Sequence, residues 1–322
     1  MSSQYRISVA LTTFNGSQYI YEQLFSLLNQ TRQPDEVVIC DDCSIDNTVE
    51  KVNLFIQEHS LFDRWTCYIN VKNLGYVENF LGCAQKCTGD IIFFSDQDDV
   101  WVHDKVEIIE KVYLEHNPSA VVSTYSMINS EGGKYITLYS LYKNFPSLIK
   151  LRKVSLPTYL RLLGSSGKAL SFRSEMLEEI MQKVHAYNLT YDTPIGAIAL
   201  FHDGFYLLHK PLVKFRVHAS NTSAPSTKLS HRTTDVGHLI TSIQHILKMH
   251  SFVYKEYGDR LSESRISFLR KSISMQEKNL VALQQGKINK AFIHNNLTLN
   301  PLTNKIFALV LILYGIRNLR NC

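Results

Sequence analysis

The chain has 322 residues, of which 45% are hydrophobic and 20% are charged, and its formal net charge is +5. This is the composition of an ordinary globular protein, which excludes a low-complexity chain. The length suits one large domain, or a domain with an extension.

The first residues do not combine a basic segment with an apolar one, so no secretory signal is visible. We therefore expect a cytoplasmic protein, in which cysteines are usually reduced. The six cysteines follow no regular framework; they are Cys40, Cys43, Cys67, Cys83, Cys87 and Cys322.

Strand-like and helix-like segments alternate through residues 1–125, which is typical of a parallel α/β sheet. The predicted strands cover residues 7–11, 36–40, 66–70, 91–94 and 120–123. Helices with an apolar face are predicted at residues 20–28, from Thr48 onward, and at 77–84 and 106–115. The pattern between residues 126 and 215 is less regular.

The chain changes character after Thr222. Apolar residues return at helical spacing within 236–247 and 266–273, which predicts a helical extension over residues 223–322. This extension has a net charge of +9, whereas residues 1–222 have a net charge of −4. A basic surface of this kind suits nucleic acid or anionic lipid. The scattered aromatic residues do not suggest a surface on which nucleic-acid bases stack, so we expect no nucleic-acid partner.

An apolar run at residues 306–316 lies between Lys305 and the pair Arg317 and Arg320. It is too short to cross a bilayer, which takes about 20 apolar residues. Two interpretations stay open: a buried C-terminal helix, or an interfacial helix on an anionic membrane. The basic extension favours the second, which predicts peripheral association with the inner face of the cell membrane.

Three carboxylates follow the predicted strand 91–94 within four positions, namely Asp96, Asp98 and Asp99. Like charges this close are unfavourable unless a cation neutralises them, and carboxylate oxygens suit Mg²⁺ or Mn²⁺. The alternative is that each Asp caps a helix or builds a turn. That alternative is credible for Asp46 before Thr48, but it does not explain the cluster at 96–99.

Polar clusters end three of the predicted strands, at residues 12–16, 41–44 and 96–99. Ligands of open α/β sheets bind beyond the carboxyl ends of the strands. We therefore expect the three clusters to converge on one site that holds a metal and a phosphate-bearing ligand.

At these residues the chain resembles family 2 inverting glycosyltransferases of the GT-A fold. The resemblance runs over residues 5–105, through VALTTFNGSQYIYEQLFSLLNQTRQPDEVVICDDCSIDNT, NVKNLGYVENF and GDIIFFSDQDDVW. It implies an α/β fold, with the Rossmann-like mixed sheet of nucleotide-diphospho-sugar transferases flanked by helices and followed by the C-terminal helical extension. Residues 1–125 would bind the nucleotide sugar, and residues 126–222 would supply the acceptor and catalytic half.

The same resemblance implies site residues. Asp96 and Asp98 match the positions that hold the metal on the diphosphate of the donor. The positions around the nucleotide match Thr12, Phe14, Asn15, Asp41, Asp42, Asn73 and Gly75.

A weaker resemblance covers Tyr191-Asp192 and the segment 210–221, KPLVKFRVHASN. On this match Asp192 is the catalytic base, Arg216 contacts the donor phosphates and His218 contacts the metal. The chain departs from the family pattern at Tyr191, which replaces a polar partner, and at Thr193-Pro194, which replaces an aromatic pair. The alternatives are that Asp192 only begins a helix and that His218 only packs in a core.

The DQDD form of the motif resembles bacterial rhamnosyltransferases of surface-polysaccharide assembly. It implies dTDP-L-rhamnose as donor and a glycan or lipid-linked acceptor, with a UDP-hexose (glucose, galactose or N-acetylhexosamine) as the second choice of donor. A non-catalytic nucleotide-sugar-binding or regulatory protein is the alternative from another class.

Three other classes are disfavoured. A Rossmann oxidoreductase needs Gly-x-Gly-x-x-Gly after its first strand, where this chain has Thr-Thr-Phe-Asn-Gly. A phosphohydrolase would carry its Asp-x-Asp after an early strand. Cys40 and Cys43 have thioredoxin spacing, but the residues between them are the Asp pair of the nucleotide motif.

Overall fold

The computed structural model describes residues 5–135, 151–161, 167–202, 204–218, 221 and 236–285. Contacts divide the chain into two compact units, residues 1–221 and 222–322. Each unit is described by itself.

The first unit is an α/β fold, as predicted. Its strands are β1 (Ile7–Thr13), β2 (Glu36–Asp41), β3 (Trp65–Ile69), β4 (Ile91–Asp96), β5 (Val100–Trp101), β6 (Ala120–Asn129), β7 (Leu151–Lys153), β8 (Leu170–Arg173) and β9 (Phe205–Val217). Its helices are α1 (Ile20–Leu28), α2 (Thr48–Glu58), α3 (Tyr76–Gln85), α4 (Lys105–His116), α5 (Leu156–Arg161), α6 (Leu177–Tyr187) and α7 (Asp192–Phe201).

The strands form one mixed sheet in the order β3-β2-β1-β4-β8-β6-β9-β5, with β7 also paired to β9. Strands β1 to β4 are parallel, whereas β8 runs antiparallel to both β4 and β6. The register places Thr12 opposite Cys40 of β2 and opposite Asp96 of β4. The carboxyl ends of β1, β2 and β4 therefore meet at one edge, as the motif positions required.

Apolar side chains explain why these segments form strands and helices. All seven residues of β1 are buried, and so are Ile91 to Phe94 of β4. A strand that is apolar on both sides is stable only between two layers of helices. Helix α1 supplies one such covering face through Ile20, Leu24 and Leu27.

The structure extends the sequence prediction mainly in the second half of this unit. Strand β6 continues to Asn129, beyond the predicted end at Ser123, because residues 124–129 pair with β9 across two register shifts. Strands β8 and β9 lie in the segment that had no clear periodicity. Strand β3 begins one residue earlier than predicted, at Trp65.

The second unit contains the predicted helical extension. Helices α8 (Val236–Tyr257) and α9 (Glu263–Gln284) are joined by a turn at Gly258–Arg260 and pack along each other. The buried side of α9 has three polar residues between two leucines: Leu269, Ser272, Gln276, Asn279 and Leu283. The side chains of His250 and Ser272 form a buried hydrogen bond between the two helices (2.7 Å).

No helix in the described part of the chain has the length and apolar character needed to cross a membrane. The run at 306–316, on which the membrane prediction depends, lies outside the described residues.

Candidate active site at the carboxyl ends of the strands

The carboxylate of Asp98 is held by residues that follow strand β9. His218 Nε2 lies 2.8 Å from Asp98 Oδ2, and the amide of Asn221 donates to the same oxygen at 3.0 Å. The backbone N–H of His218 donates to Asn221 Oδ1 at 2.6 Å, and the His218 ring packs on the Tyr19 ring with 4.7 Å between centroids. The two motifs, 120 positions apart in sequence, thus form one cluster.

Arg216 supports this cluster from inside the protein and is only 1% exposed. Its Nε donates to the backbone carbonyl of Asp98 at 2.9 Å. Its Nη1 donates to the carbonyls of Asn129 (3.3 Å) and Ser130 (3.2 Å), and its Nη2 pairs with Glu22. The family resemblance assigns Arg216 to the donor phosphates, and in the structure its guanidinium contacts these protein groups.

Asp96 and Asp99 lie in an environment that penalises negative charge. Burial, together with the charges of Asp98 and Asp192, raises the pKa of Asp96 to about 6. Burial also raises the pKa of Asp99 well above its usual range. Asp99 Oδ1 accepts from the backbone N–H of Arg216 at 3.1 Å, but its Oδ2 is buried without a hydrogen-bond partner.

Two buried lysines lie near these carboxylates, and sequence reasoning missed both. Lys105 donates to the carbonyl of Lys168 at 3.2 Å, and its Nζ lies 3.4 Å from the centroid of the Trp101 ring. Lys168 Nζ lies 3.4 Å from the centroid of the Phe215 ring. Both positive charges lower the pKa of Asp96 and so partly oppose the effect of burial. The sequence gives one indication that Lys105 is buried: it stands next to the apolar residues that form the buried face of α4.

The aspartates at the end of β2 have a full set of hydrogen-bond donors. Asp41 accepts from the Thr13 hydroxyl (2.6 Å) and from the N–H (2.7 Å) and hydroxyl (2.6 Å) of Ser44. Asp42 accepts from the Asn70 amide (2.9 Å) and from the N–H groups of Leu74 and Gly75 (2.8 Å each). Asp42 therefore holds the loop 70–75, on which Asn73 and Gly75 lie.

The loop after β1 contains the remaining predicted nucleotide contacts. Thr12 is buried in the strand, whereas the Phe14 side chain is 46% exposed. Asn15 adopts a positive φ of 48°, and its Oδ1 accepts from the N–H of Ile45 at 2.9 Å. These side chains border the same sheet edge as Asp41 and Asp96.

Asp192 begins helix α7 and is partly buried. It lies close enough to the cluster for its charge to contribute to the raised pKa of Asp96. The preceding Tyr191 is buried and packs against the rings of Phe80 (4.4 Å between centroids) and Phe94 (4.8 Å). Tyr191 is thus a core residue that positions the start of α7.

The donor set fits a hard divalent cation that is shared with a substrate. Among the described residues, no three His, Cys, Asp or Glu side chains form a complete metal site. Mg²⁺ is commonly held by only one or two carboxylates together with substrate phosphates. Asp96 and Asp98 match that set, and a cation there would relieve the repulsion that raises the pKa of Asp96. His218 Nε2 lies beside this set, within hydrogen-bond distance of Asp98 Oδ2.

Comparison with known proteins gives a consistent family. The model for "Glycosyl transferase family 2" matches residues 8–181. The UDP-Glc:alpha-D-GlcNAc-diphosphoundecaprenol beta-1,3-glucosyltransferase WfgD of Escherichia coli is 29% identical over 151 residues, which are 44% of this chain and 56% of WfgD. An uncharacterized glycosyltransferase of Nostoc is 26% identical over 266 residues, which are 81% of this chain and 80% of that protein.

The chain spans only part of several relatives, including 56% of WfgD and 23% of a Rickettsia bellii glycosyltransferase. Among solved structures, Staphylococcus aureus TarS 1–349 in complex with UDP-GlcNAc has a TM-score of 0.61 at 15% identity, over 91% of this chain and 80% of that one. Mannosyltransferase PcManGT from Pyrobaculum calidifontis, in complex with GDP-Man and Mn²⁺, has a TM-score of 0.53 at 16% identity, over 99% and 88%. At these identities the similarity shows the GT-A fold.

Proposed function

Since this chain belongs to glycosyl transferase family 2, we propose that it transfers a sugar, with inversion, from a nucleotide-sugar donor to a hydroxyl group of a glycan or lipid-linked acceptor in polysaccharide synthesis. The observation that carries the proposal is the contact of His218 and Asn221 with Asp98. It joins the weaker motif of the second half to the carboxylate cluster of the first. This convergence puts the imidazole of His218 next to a carboxylate that would hold the metal.

The carboxylates of Asp96 and Asp98 would hold Mg²⁺ or Mn²⁺ on the donor diphosphate, with His218 beside them. When bound, the cation would stabilise negative charge on the leaving diphosphate. Arg216 fixes the Asp98 backbone through its bond to the carbonyl. Its part in phosphate binding is therefore indirect, through the position of Asp98.

Asp192 is proposed as the general base. Its carboxylate accepts the proton of the acceptor hydroxyl, and the oxygen attacks the anomeric carbon from the face opposite the diphosphate. The bond between the anomeric carbon and the diphosphate oxygen then breaks, and the electron pair leaves with the diphosphate. General-base assistance of this kind contributes about 10²–10⁴-fold to a rate.

The base and ribose of the donor are proposed to lie on the loops that follow β1 and β2. Phe14 offers an exposed ring, and Thr12 and Asn15 border it. Asp41 and Asp42 bond the surrounding loops, so they would shape the nucleotide site together with Asn73 and Gly75.

Two donors are supported by different observations. The DQDD motif favours dTDP-L-rhamnose, whereas the similar protein WfgD is a UDP-Glc-dependent glucosyltransferase and the TarS structure contains UDP-GlcNAc. We keep dTDP-L-rhamnose as the first candidate and a UDP-hexose as the second. A non-catalytic nucleotide-sugar-binding protein would bind a donor without transferring it.

Binding of a panel of nucleotide sugars tests the proposal. The panel contains dTDP-L-rhamnose, UDP-glucose, UDP-galactose, UDP-GlcNAc and GDP-mannose, each measured by calorimetry with and without Mn²⁺. At least one should bind, and Mn²⁺ should strengthen its binding. If none binds with Mn²⁺ present, the proposal is wrong, and binding without transfer to any acceptor would favour the non-catalytic alternative.

We also propose that the basic extension brings the protein to an anionic membrane surface, where lipid-linked acceptors would lie. The net charge of +9 over residues 223–322 supports this. Vesicles of phosphatidylglycerol and phosphatidylethanolamine in a flotation assay should carry the full chain but not a variant lacking residues 305–322. Equal flotation of the two would contradict the anchor.

A further inference from the structure

In sequence, Gln97 lies between the two proposed metal ligands, Asp96 and Asp98. Its side-chain amide makes two hydrogen bonds to the backbone of one residue, Phe14. Its Oε1 accepts from the backbone N–H of Phe14 at 2.8 Å, and its Nε2 donates to the backbone carbonyl of Phe14 at 3.0 Å. The backbone pairing of β1 with β4 ends at Thr12 and Asp96. The Gln97 amide continues this pairing beyond the last backbone pair, because a side-chain amide offers the same donor and acceptor as a peptide group.

Gly16 makes room for this arrangement. A Cβ atom at Gly16 would lie 2.0 Å from Oε1 of Gln97 and 2.3 Å from its Cδ. Atoms this close overlap, so any larger residue at position 16 would displace the Gln97 amide from Phe14. The glycine and the glutamine therefore depend on each other, although 81 positions separate them in sequence.

The two loops that Gln97 joins have different proposed roles. Phe14 and its neighbours border the base of the donor, whereas Asp96 and Asp98 hold the diphosphate. We propose that Gln97 is a positioning residue that fixes the base-binding loop at the distance from the carboxylates that a nucleoside diphosphate spans. This inference rests on the proposed function. Its physical basis is that two linked groups bind together strongly only when both subsites are held at the matching separation.

The chemistry of the bond pair explains why glutamine suits this position. Glutamate at position 97 would lose the Nε2 donor and bring a carboxylate against the Phe14 carbonyl, which also accepts hydrogen bonds. Asparagine is one methylene shorter. The Phe14 bonds are exposed, so water can replace them in Gln97→Ala without unfolding the chain.

The test compares whole ligands with their parts. UDP, dTDP and GDP with Mn²⁺ are the diphosphate probes, and uridine, thymidine and guanosine are the matching nucleosides; binding is followed by calorimetry and by ligand-observed NMR. Gln97→Ala should weaken the diphosphate that the native chain binds by about tenfold and change nucleoside binding by less than about twofold. Gly16→Ala should likewise weaken the diphosphate more than the nucleoside, because the added Cβ atom displaces the Gln97 amide.

Gln30→Ala is the matched control. The Gln30 amide also bonds a backbone N–H and a carbonyl, those of Val106 (3.1 Å) and Val102 (3.0 Å), but it does not join the two proposed subsites. Gln30→Ala should lower the melting temperature, but it should not weaken diphosphate binding more than nucleoside binding.

Each outcome decides the inference. Unchanged diphosphate affinity in Gln97→Ala overturns it, and so does an equal loss for nucleoside and diphosphate, because that indicates damage to the base subsite itself. If the native chain binds none of the three diphosphates, the proposed function fails first, and the inference falls with it.

Discussion

Two acidic groups, at the ends of the strands β2 and β4 that flank β1, look alike in sequence and differ in their surroundings. At the end of β2, each of Asp41 and Asp42 accepts three hydrogen bonds from nearby loops. At the end of β4, Asp96 has its pKa raised to about 6, and Asp99 keeps a buried oxygen without a partner. The first pair is satisfied by protein donors. In the second group Asp98 is held by His218 and Asn221, but Asp99 is not fully satisfied.

The difference shows how to separate structural from reactive carboxylates. Hydrogen-bond donors of the protein stabilise the charged form of a buried carboxylate, and the same bonds hold the loop that carries the donors. A carboxylate cluster without enough donors stays costly until a cation or a proton arrives. We therefore expect the metal and the diphosphate at the β4 cluster. We expect the β2 pair to hold its surrounding loops in place.

The largest expected effect concerns Asp192, the additional carboxylate near the β4 cluster. Asp192→Asn keeps the size of the side chain but removes the base, so kcat should fall by about 10²–10⁴-fold. Donor binding should stay within twofold of the native value, because this residue is not assigned to the donor. The exposed Asp63→Asn is the matched control and should leave kcat unchanged. Undiminished turnover in Asp192→Asn would remove the catalytic assignment.

The next largest effect is on stability and concerns Asp42, which holds the loop after β3. Asp42→Ala leaves the donors of Asn70, Leu74 and Gly75 without their acceptor, and the free energy of unfolding should fall by about 2 kcal/mol. Asp99→Asn should not lower it, since the native carboxyl already has an unpartnered oxygen and a raised pKa. Urea titration of both variants checks this contrast. Equal destabilisation would show that the two acidic groups do not differ as described.

A smaller effect follows from the pKa of Asp96. Because this pKa is raised from 3.8 to about 6, the folded metal-free protein binds this proton more tightly than the unfolded chain does. Its contribution to stability is present below pH 3.8 and is lost as the pH rises through 6. A proton also competes with Mn²⁺, so Mn²⁺ affinity should be about tenfold weaker at pH 5 than at pH 7. Calorimetry should find this dependence reduced in Asp96→Asn; a flat profile in the native chain would contradict the raised pKa.

The smallest effect concerns Tyr76 at the start of α3. Tyr76 is 49% exposed. Its ring packs edge-on against the ring of Tyr191, with 6.5 Å between the centroids, and Tyr191 directly precedes Asp192 in sequence. Burial and the charge of Asp192 raise the pKa of its hydroxyl. We expect an acceptor sugar to pack on this ring, so Tyr76→Ala should raise the acceptor KM by about fivefold. Tyr76→Phe should behave like the native chain, and an unchanged KM in Tyr76→Ala would exclude the contact.

Much of the first half of the fold was predictable because its signals are local. The apolar runs of β1, β2 and β4 are continuous, and each ends in a polar cluster that marks the carboxyl edge. Strands β6 and β9 were harder to predict, because residues 124–129 of β6 mix polar and apolar types and pair with β9 across register shifts. Such pairing is set by tertiary contacts rather than by periodicity.

The sequence proposes which residues belong to the site, but it does not predict how they contact one another. The spacing of Asp96 and Asp98 indicated a metal, yet only the fold reveals that His218 and Asn221 reach Asp98. Lys168 lies in a segment without periodicity, and Gln97 occupied the variable position of its motif. Long-range contacts decide the roles of both, so no local pattern identified them.

Metal-dependent binding of a nucleoside diphosphate to Asp98→Asn tests the central claim most directly. The native chain should bind UDP or dTDP at least about tenfold more tightly with Mn²⁺ than without it. Asp98→Asn should lose this gain and keep the native melting temperature, because an asparagine oxygen can still accept the bonds of His218 and Asn221. The matched Asp42→Asn should keep the gain. Retention of the full Mn²⁺-dependent gain in Asp98→Asn would contradict the assignment of the β4 cluster as the diphosphate site.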